Sequence, residues 1–118
     1  MQCGERTLAD LVVNGEEIEL DEEGYLVHLS DWSPDAARLL ADREEIALSD
    51  AHWEIIELLR DFYQTYDLSP AMRPLVKWIG KHLGPDKGRS IYLMQLFPPS
   101  PAKIASKIAG LPKPTNCL

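Results

Sequence analysis

Two cysteines, Cys3 and Cys117, are all that 118 residues contain, and the three histidines, His28, His52 and His82, are scattered. Neither cysteine stands at zinc-ligand spacing from a histidine or from the other cysteine, so no metal site is expected. Lying at opposite ends of the chain, the pair also makes no disulfide framework. No run approaches the roughly eighteen apolar residues of a membrane-spanning helix. The opening MQCGERTLAD has no apolar signal region, and only two residues precede Cys3, too few for lipidation there. A cytoplasmic protein without membrane contact is therefore expected. GxSxG, HExxH and dinucleotide fingerprints are absent, and Gly84-Pro85-Asp86-Lys87-Gly88 lacks the GKS/T ending of a phosphate-binding loop, so no cofactor is expected either. Glu54, Glu57 and Asp61 share a helical face with no paired histidine and read as a solvated surface. Of the usual site chemistries, only that of a thiol is left.

What the chain does have is an apolar content of 45%, enough for one folded domain of this length. Leu11 to Leu20 reads as two short strands about Asn14-Gly15, the dipeptide a type I′ hairpin turn needs. Asp21 to Asp31 is then irregular, turning at Gly24, with Tyr25 and Leu26 pinned to the core. Ser33-Pro34 opens a helix to about Ile46, and Ser49 caps a central helix from Asp50 to about Tyr66. On that helix His52, Ile55, Ile56, Leu59, Phe62, Tyr63 and Tyr66 follow the spacing of a buried face. Ser69-Pro70 begins a third helix to about Leu83, with Pro74 marking a later start or a distorted first turn. Arg89 to Leu96 is a short fourth, presenting Ile91, Leu93, Met94 and Leu96. Ser100-Pro101 opens the last, with Ile104, Ala105, Ile108 and Ala109 on its apolar side and Lys103, Ser106 and Lys107 on the polar one. The expected class is α+β, mostly α: a helical bundle over residues 1 to 109 with a small N-terminal hairpin, followed by an extended C-terminal arm over 110 to 118.

Charge is divided unevenly. Residues 1 to 67 hold 18 acids and 4 bases, whereas residues 68 to 118 hold 8 bases and a single acid, Asp86. Such polarity serves either intramolecular charge balance or docking. Arg73, Lys77 and Lys81 recur every four residues as one basic stripe, either a solubilising face or a contact for RNA phosphate or an acidic partner.

The arm itself is Gly110-Leu111-Pro112-Lys113-Pro114-Thr115-Asn116-Cys117-Leu118. Gly110 stops the helix, and Pro112 and Pro114 favour polyproline II and remove backbone donors. The thiol of Cys117 is then either a bystander near a terminus or an accessible nucleophile on a projecting arm. From Phe97 onward the chain reads FPPSPAKIASKIAGLPKPTNCL, which resembles the C-terminus of the TusE/DsrC family of sulfur carriers. Supporting matches are DEEGYL at 21 to 26, Leu48-Ser49 with His52-Trp53-Glu54, Asp61-Phe62-Tyr63, Ser69-Pro70-Ala71, and Tyr92-Leu93 before Leu96-Phe97-Pro98. The resemblance implies a persulfide intermediate on Cys117. It also implies a TusBCD-type relay complex as sulfur donor and the tRNA 2-thiouridylase as acceptor, with its tRNA as a possible contact. The DsrC branch works with dissimilatory sulfite reductase and has a second cysteine where this chain has Ser106. The chain thus resembles the single-cysteine branch, with a sulfite reductase partner or regulator as the alternative.

Overall fold

The computed structural model describes residues 11 to 114. Strands β1 (Leu11–Val13) and β2 (Glu16–Ile18) pair antiparallel, Leu11 opposite Ile18 and Val13 opposite Glu16. Asn14 and Gly15 both take positive φ, 52° and 87°, as the type I′ turn requires. Leu11, Val13 and Ile18 point into the core and Val12 to solvent, so the period of two anchors one face of the hairpin. An isolated bridge between Leu20 and Leu26 closes the following loop, and Leu29–Asp31 is one 3-10 turn.

Five helices follow among the described residues: α1 (Pro34–Arg43), α2 (Asp50–Tyr66), α3 (Met72–Leu83), α4 (Ser90–Leu96) and α5 (Pro101–Ile108). The expected class, a mostly helical bundle with a hairpin, is what the structure has. Ser33 caps α1 by accepting from the Ala36 amide, with Pro34 in the first turn. Two helix ends differ from expectation. α1 ends at Arg43 rather than Ile46, because Glu45 takes φ 62° and the amides of Glu45 and Ile46 fold back onto the Asp42 and Ala41 carbonyls. This is a Schellman ending without its usual glycine. α3 starts at Met72, not Ser69; Pro74 then falls within the first turn, where its missing N–H leaves no bond unmade. α5 ends at Ile108 with Ala109 as its cap, immediately before the expected stop at Gly110.

α2 is the central element, with Ile55, Ile56 and Leu59 wholly buried among Leu40, Leu75, Ile79, Leu93, Phe97 and Ile108. Each such side chain stabilises the fold by about 1.5–3 kcal/mol. His52 fills the start of α2, as expected, and also ties two elements together. Its Nδ1 accepts from the Ser49 amide at 3.0 Å, so Nε2–H donates to the Leu96 carbonyl at 2.8 Å, locking α4 onto α2. Three expected core residues face outward instead: Tyr66 is 51% exposed, Ile91 64% and Met94 42%. No helix among the described residues is long and apolar enough to cross a membrane.

Candidate functional site

The thiols Cys3 and Cys117 lie outside the described residues. What the structure does describe is the base from which Cys117 is carried, and that base is built rather than loose. Gly110 takes φ 75°, its amide donates to the Lys107 carbonyl, and the Leu111 amide donates to that of Ser106. This Schellman closure turns the chain back over α5 and buries Leu111, which is 3% exposed. A side chain at 110 would overlap the Trp32 ring, so glycine is required by both conformation and space.

The carbonyls that α5 leaves open at its end are taken by side chains from distant elements. Trp32 Nε1 donates to the Ile108 carbonyl at 2.9 Å, and Arg60 Nη1 to that of Ala109 at 2.6 Å. The Arg60 guanidinium also lies over the Trp32 ring, 3.9 Å from its centroid. Burial lowers the Arg60 pKa from its ordinary value, and the carbonyl and ring faces compensate part of that desolvation. On the other side of the same segment Ser69 Oγ donates to the Pro112 carbonyl at 2.5 Å, and Lys113 Nζ meets Glu23 Oε2 at 2.9 Å. The flank of α5 is pinned by Tyr25, whose hydroxyl donates to the Lys103 carbonyl, and by the largely buried pair Lys107–Glu44 at 3.0 Å.

The expectation that the chain projects from Gly110 onward therefore needs correction. Residues 111 to 114 have no regular secondary structure, as the prolines dictate, but Leu111 and Pro114 are buried. The first half of the arm is seated on the domain. Counted from Pro114, three residues reach Cys117, at most about 11 Å of extended chain.

Ser106 also departs from its expected place. It is fully buried, and its Oγ has no hydrogen-bond partner among the described residues, so it does not belong to the polar side of α5 with Lys103 and Lys107. Of the residues that hold the segment down, Ser69 and Glu23 stand out in the sequence only as a helix start and within a family motif, and Trp32 and Arg60 not at all; lone residues on separate elements carry no spacing signal. The stripe Arg73, Lys77 and Lys81 is exposed on one face of α3, as its period of four predicts. No group of three or more metal-ligating side chains occurs among the described residues.

The profile of the family described as DsrC like protein matches residues 12 to 118, which takes in Cys117. Among curated proteins, the chain is 57% identical over 108 residues to the sulfurtransferase TusE homolog of Haemophilus influenzae, covering 92% of this chain and 99% of that protein. It is 51% identical, with the same coverage, to the sulfurtransferase TusE of Escherichia coli K12. Among solved structures, the DsrC of Allochromatium vinosum superposes with a TM-score of 0.84 at 48% identity, over 92% of this chain and 97% of that one. The oxidized gamma-subunit of the dissimilatory sulfite reductase (DsrC) from Archaeoglobus fulgidus gives 0.80 at 41%, over 92% and 99%. A profile match over nearly the whole chain, with relatives above 50% identity from end to end, makes this protein a member of the DsrC-like family.

Proposed function

We propose that the protein is a sulfur carrier of the TusE kind, working through Cys117. The Cys117 thiolate attacks the outer sulfur of a donor persulfide. The new bond is Cys117 S–S, the bond broken is the donor's S–S, and the donor leaves as a thiolate. The sulfur so held is then attacked in turn by an acceptor thiol, which takes it and releases Cys117 as thiolate. Neither step needs an outside oxidant, and neither asks this chain for a base. The donor in this reading is a TusBCD-type relay, and the acceptor is the tRNA 2-thiouridylase, which uses the sulfur at the wobble uridine. The setting is the cytoplasm, where reducing conditions keep a carrier thiol free.

The observation that carries the reading is the 51–57% identity, along almost the whole chain, to proteins named sulfurtransferase TusE. Burial of Ser106 favours it over a sulfite reductase partner, because this chain offers a walled-in hydroxyl where the two-cysteine branch has a second thiol. Residues 1 to 109 act as the handle and residues 110 to 118 as the delivering arm. Lifting Leu111 to Pro114 from their seat would lengthen the reach of Cys117 from about 11 Å to about 25 Å, measured from Gly110. The testing experiment is mass spectrometry of the whole protein after incubation with a persulfidated donor. A single added sulfur mapped to Cys117 and lost on reduction is expected. Absence of any adduct on Cys117 would overturn the reading.

A further inference from the structure

The face where the end of α2 meets α3 has no part in the thiol chemistry above. Phe62 and Tyr66 of α2 and Trp78 and His82 of α3 form a continuous cluster of rings. Centroids lie 4.6 Å apart for Phe62–Tyr66, 5.2 Å for Phe62–Trp78, 5.9 Å for Tyr66–Trp78 and 4.3 Å for Trp78–His82. Packing accounts for Phe62, which is buried, and for Trp78, whose Nε1 is fixed on the Leu58 carbonyl at 2.8 Å. It does not account for Tyr66, whose side chain is half in solvent. Phe62, Tyr66 and Trp78 floor a groove of about 290 Å³ whose rim carries Lys77 and Lys81. Pro74 and Lys77 also line a second, larger groove of about 660 Å³, where Arg73 adds a third cation.

The charges on this rim form no ion pair among the described residues. Lys87, Lys107 and Lys113 each meet a glutamate within 3.0 Å, whereas Arg73, Lys77 and Lys81 have no ion-pair partner among the described residues. No direct ion pair among the described residues explains the stripe on α3. The segment that follows Tyr66 also reaches the carrier arm, since Ser69, three residues further on, holds the Pro112 carbonyl.

We propose that this face binds single-stranded RNA, one base stacking on the Tyr66 side of the ring cluster and the flanking phosphates lying against Lys77, Lys81 and Arg73. A base and its phosphates use both features at once, the exposed ring and the exposed cations. An acidic protein segment would use only the cations. The choice of RNA rests on the carrier reading, in which sulfur is bound for a tRNA, and the test separates the two.

Fluorescence anisotropy of the full-length protein with a labelled RNA hairpin bearing an unpaired loop is expected to give a Kd of about 1 to 100 µM at physiological salt. A blunt duplex of equal length should bind more weakly. Tyr66→Ala should weaken the hairpin about 5- to 150-fold while Tyr66→Phe retains it. Lys77→Glu with Lys81→Glu should flatten the salt dependence by about 0.7 in log–log slope for each phosphate no longer held. All of these side chains are exposed, so the variants should keep the parent circular dichroism, with Tyr66→Ala lowering the melting temperature only by the loss of its ring contacts with Phe62 and Trp78. An unbound hairpin, a Tyr66→Ala variant that binds as well as the parent, or displacement of the hairpin by poly-glutamate as readily as by unlabelled RNA would overturn the proposal, the last in favour of an acidic protein partner. Sulfur loading of Cys117 is measured on the same preparations. Loading without RNA binding overturns the platform alone, and RNA binding without loading overturns the carrier reading alone.

Discussion

Gly110→Ala is the sharpest test of the seat beneath the C-terminal segment. The residue sits at φ 75°, a left-handed conformation that costs an alanine about 1–2 kcal/mol. Its new methyl would also overlap the Trp32 ring, which is held by the Ile108 carbonyl and by Arg60 and cannot yield without breaking those contacts. Overpacking of this kind adds about 1–3 kcal/mol. The sum is about 2–5 kcal/mol. Gly15→Ala supplies the control, because Gly15 has a similar φ of 87° but nothing within 4 Å of where an alanine methyl would sit. Only the conformational part, about 1–2 kcal/mol, should appear there. Urea unfolding followed by tryptophan fluorescence measures both, and the difference between the two variants isolates the packing against Trp32. Equal losses in the two would refute the close approach of Gly110 to Trp32, and with it the account of how the segment is seated. Gly110→Ala should also redirect the chain after α5, so that sulfur loading of Cys117 persists while onward transfer slows.

Four further outcomes are expected. In a reconstituted relay with labelled sulfur, Cys117→Ser should accept none and Cys3→Ser should behave as the parent; equal labelling of the two variants would sink the assignment. Ser106→Ala removes a buried hydroxyl without a partner and should be neutral or stabilising by up to about 1 kcal/mol in denaturant unfolding, whereas a loss above that would reveal a bond the structure lacks. Ser106→Cys should for the same reason resist a bulky maleimide in the folded protein and fail to cross-link with Cys117 while Leu111 stays seated; prompt labelling would mean the site opens readily. Deleting residues 111 to 118 should abolish sulfur acceptance and remove the buried Leu111 side chain, worth about 1.5–3 kcal/mol and partly offset by the entropy its seating costs. A net loss of about 0.5–2 kcal/mol is expected, and a chain unfolded at room temperature would show the segment to be part of the core.

The sequence was most informative where a local rule acts alone. Asn14-Gly15 specified the hairpin, Ser33-Pro34 the start of α1, and the spacing along α2 its buried face, because turn chemistry, capping and period are decided within a few residues. It was least informative where two distant elements settle a residue's surroundings. Ser106 sits between lysines and looks polar by spacing, yet the turn at Gly110 folds Leu111 back over that part of α5. Pro112 and Pro114 do keep the arm out of helix and sheet, but being irregular is not the same as being free. A polyproline-like segment leaves its carbonyls open to any donor, and Ser69 supplies one. Nor could spacing separate a core aromatic from a surface one at the end of α2. Tyr66 follows Phe62 by four residues and shares its face, but the domain's packing thins there and leaves the ring half in water. Each of these misreadings falls on the seat of the arm or on the aromatic groove between α2 and α3. Local pattern is expected to fail at such places, since a surface that must meet a partner is shaped by more than the need to bury its own core.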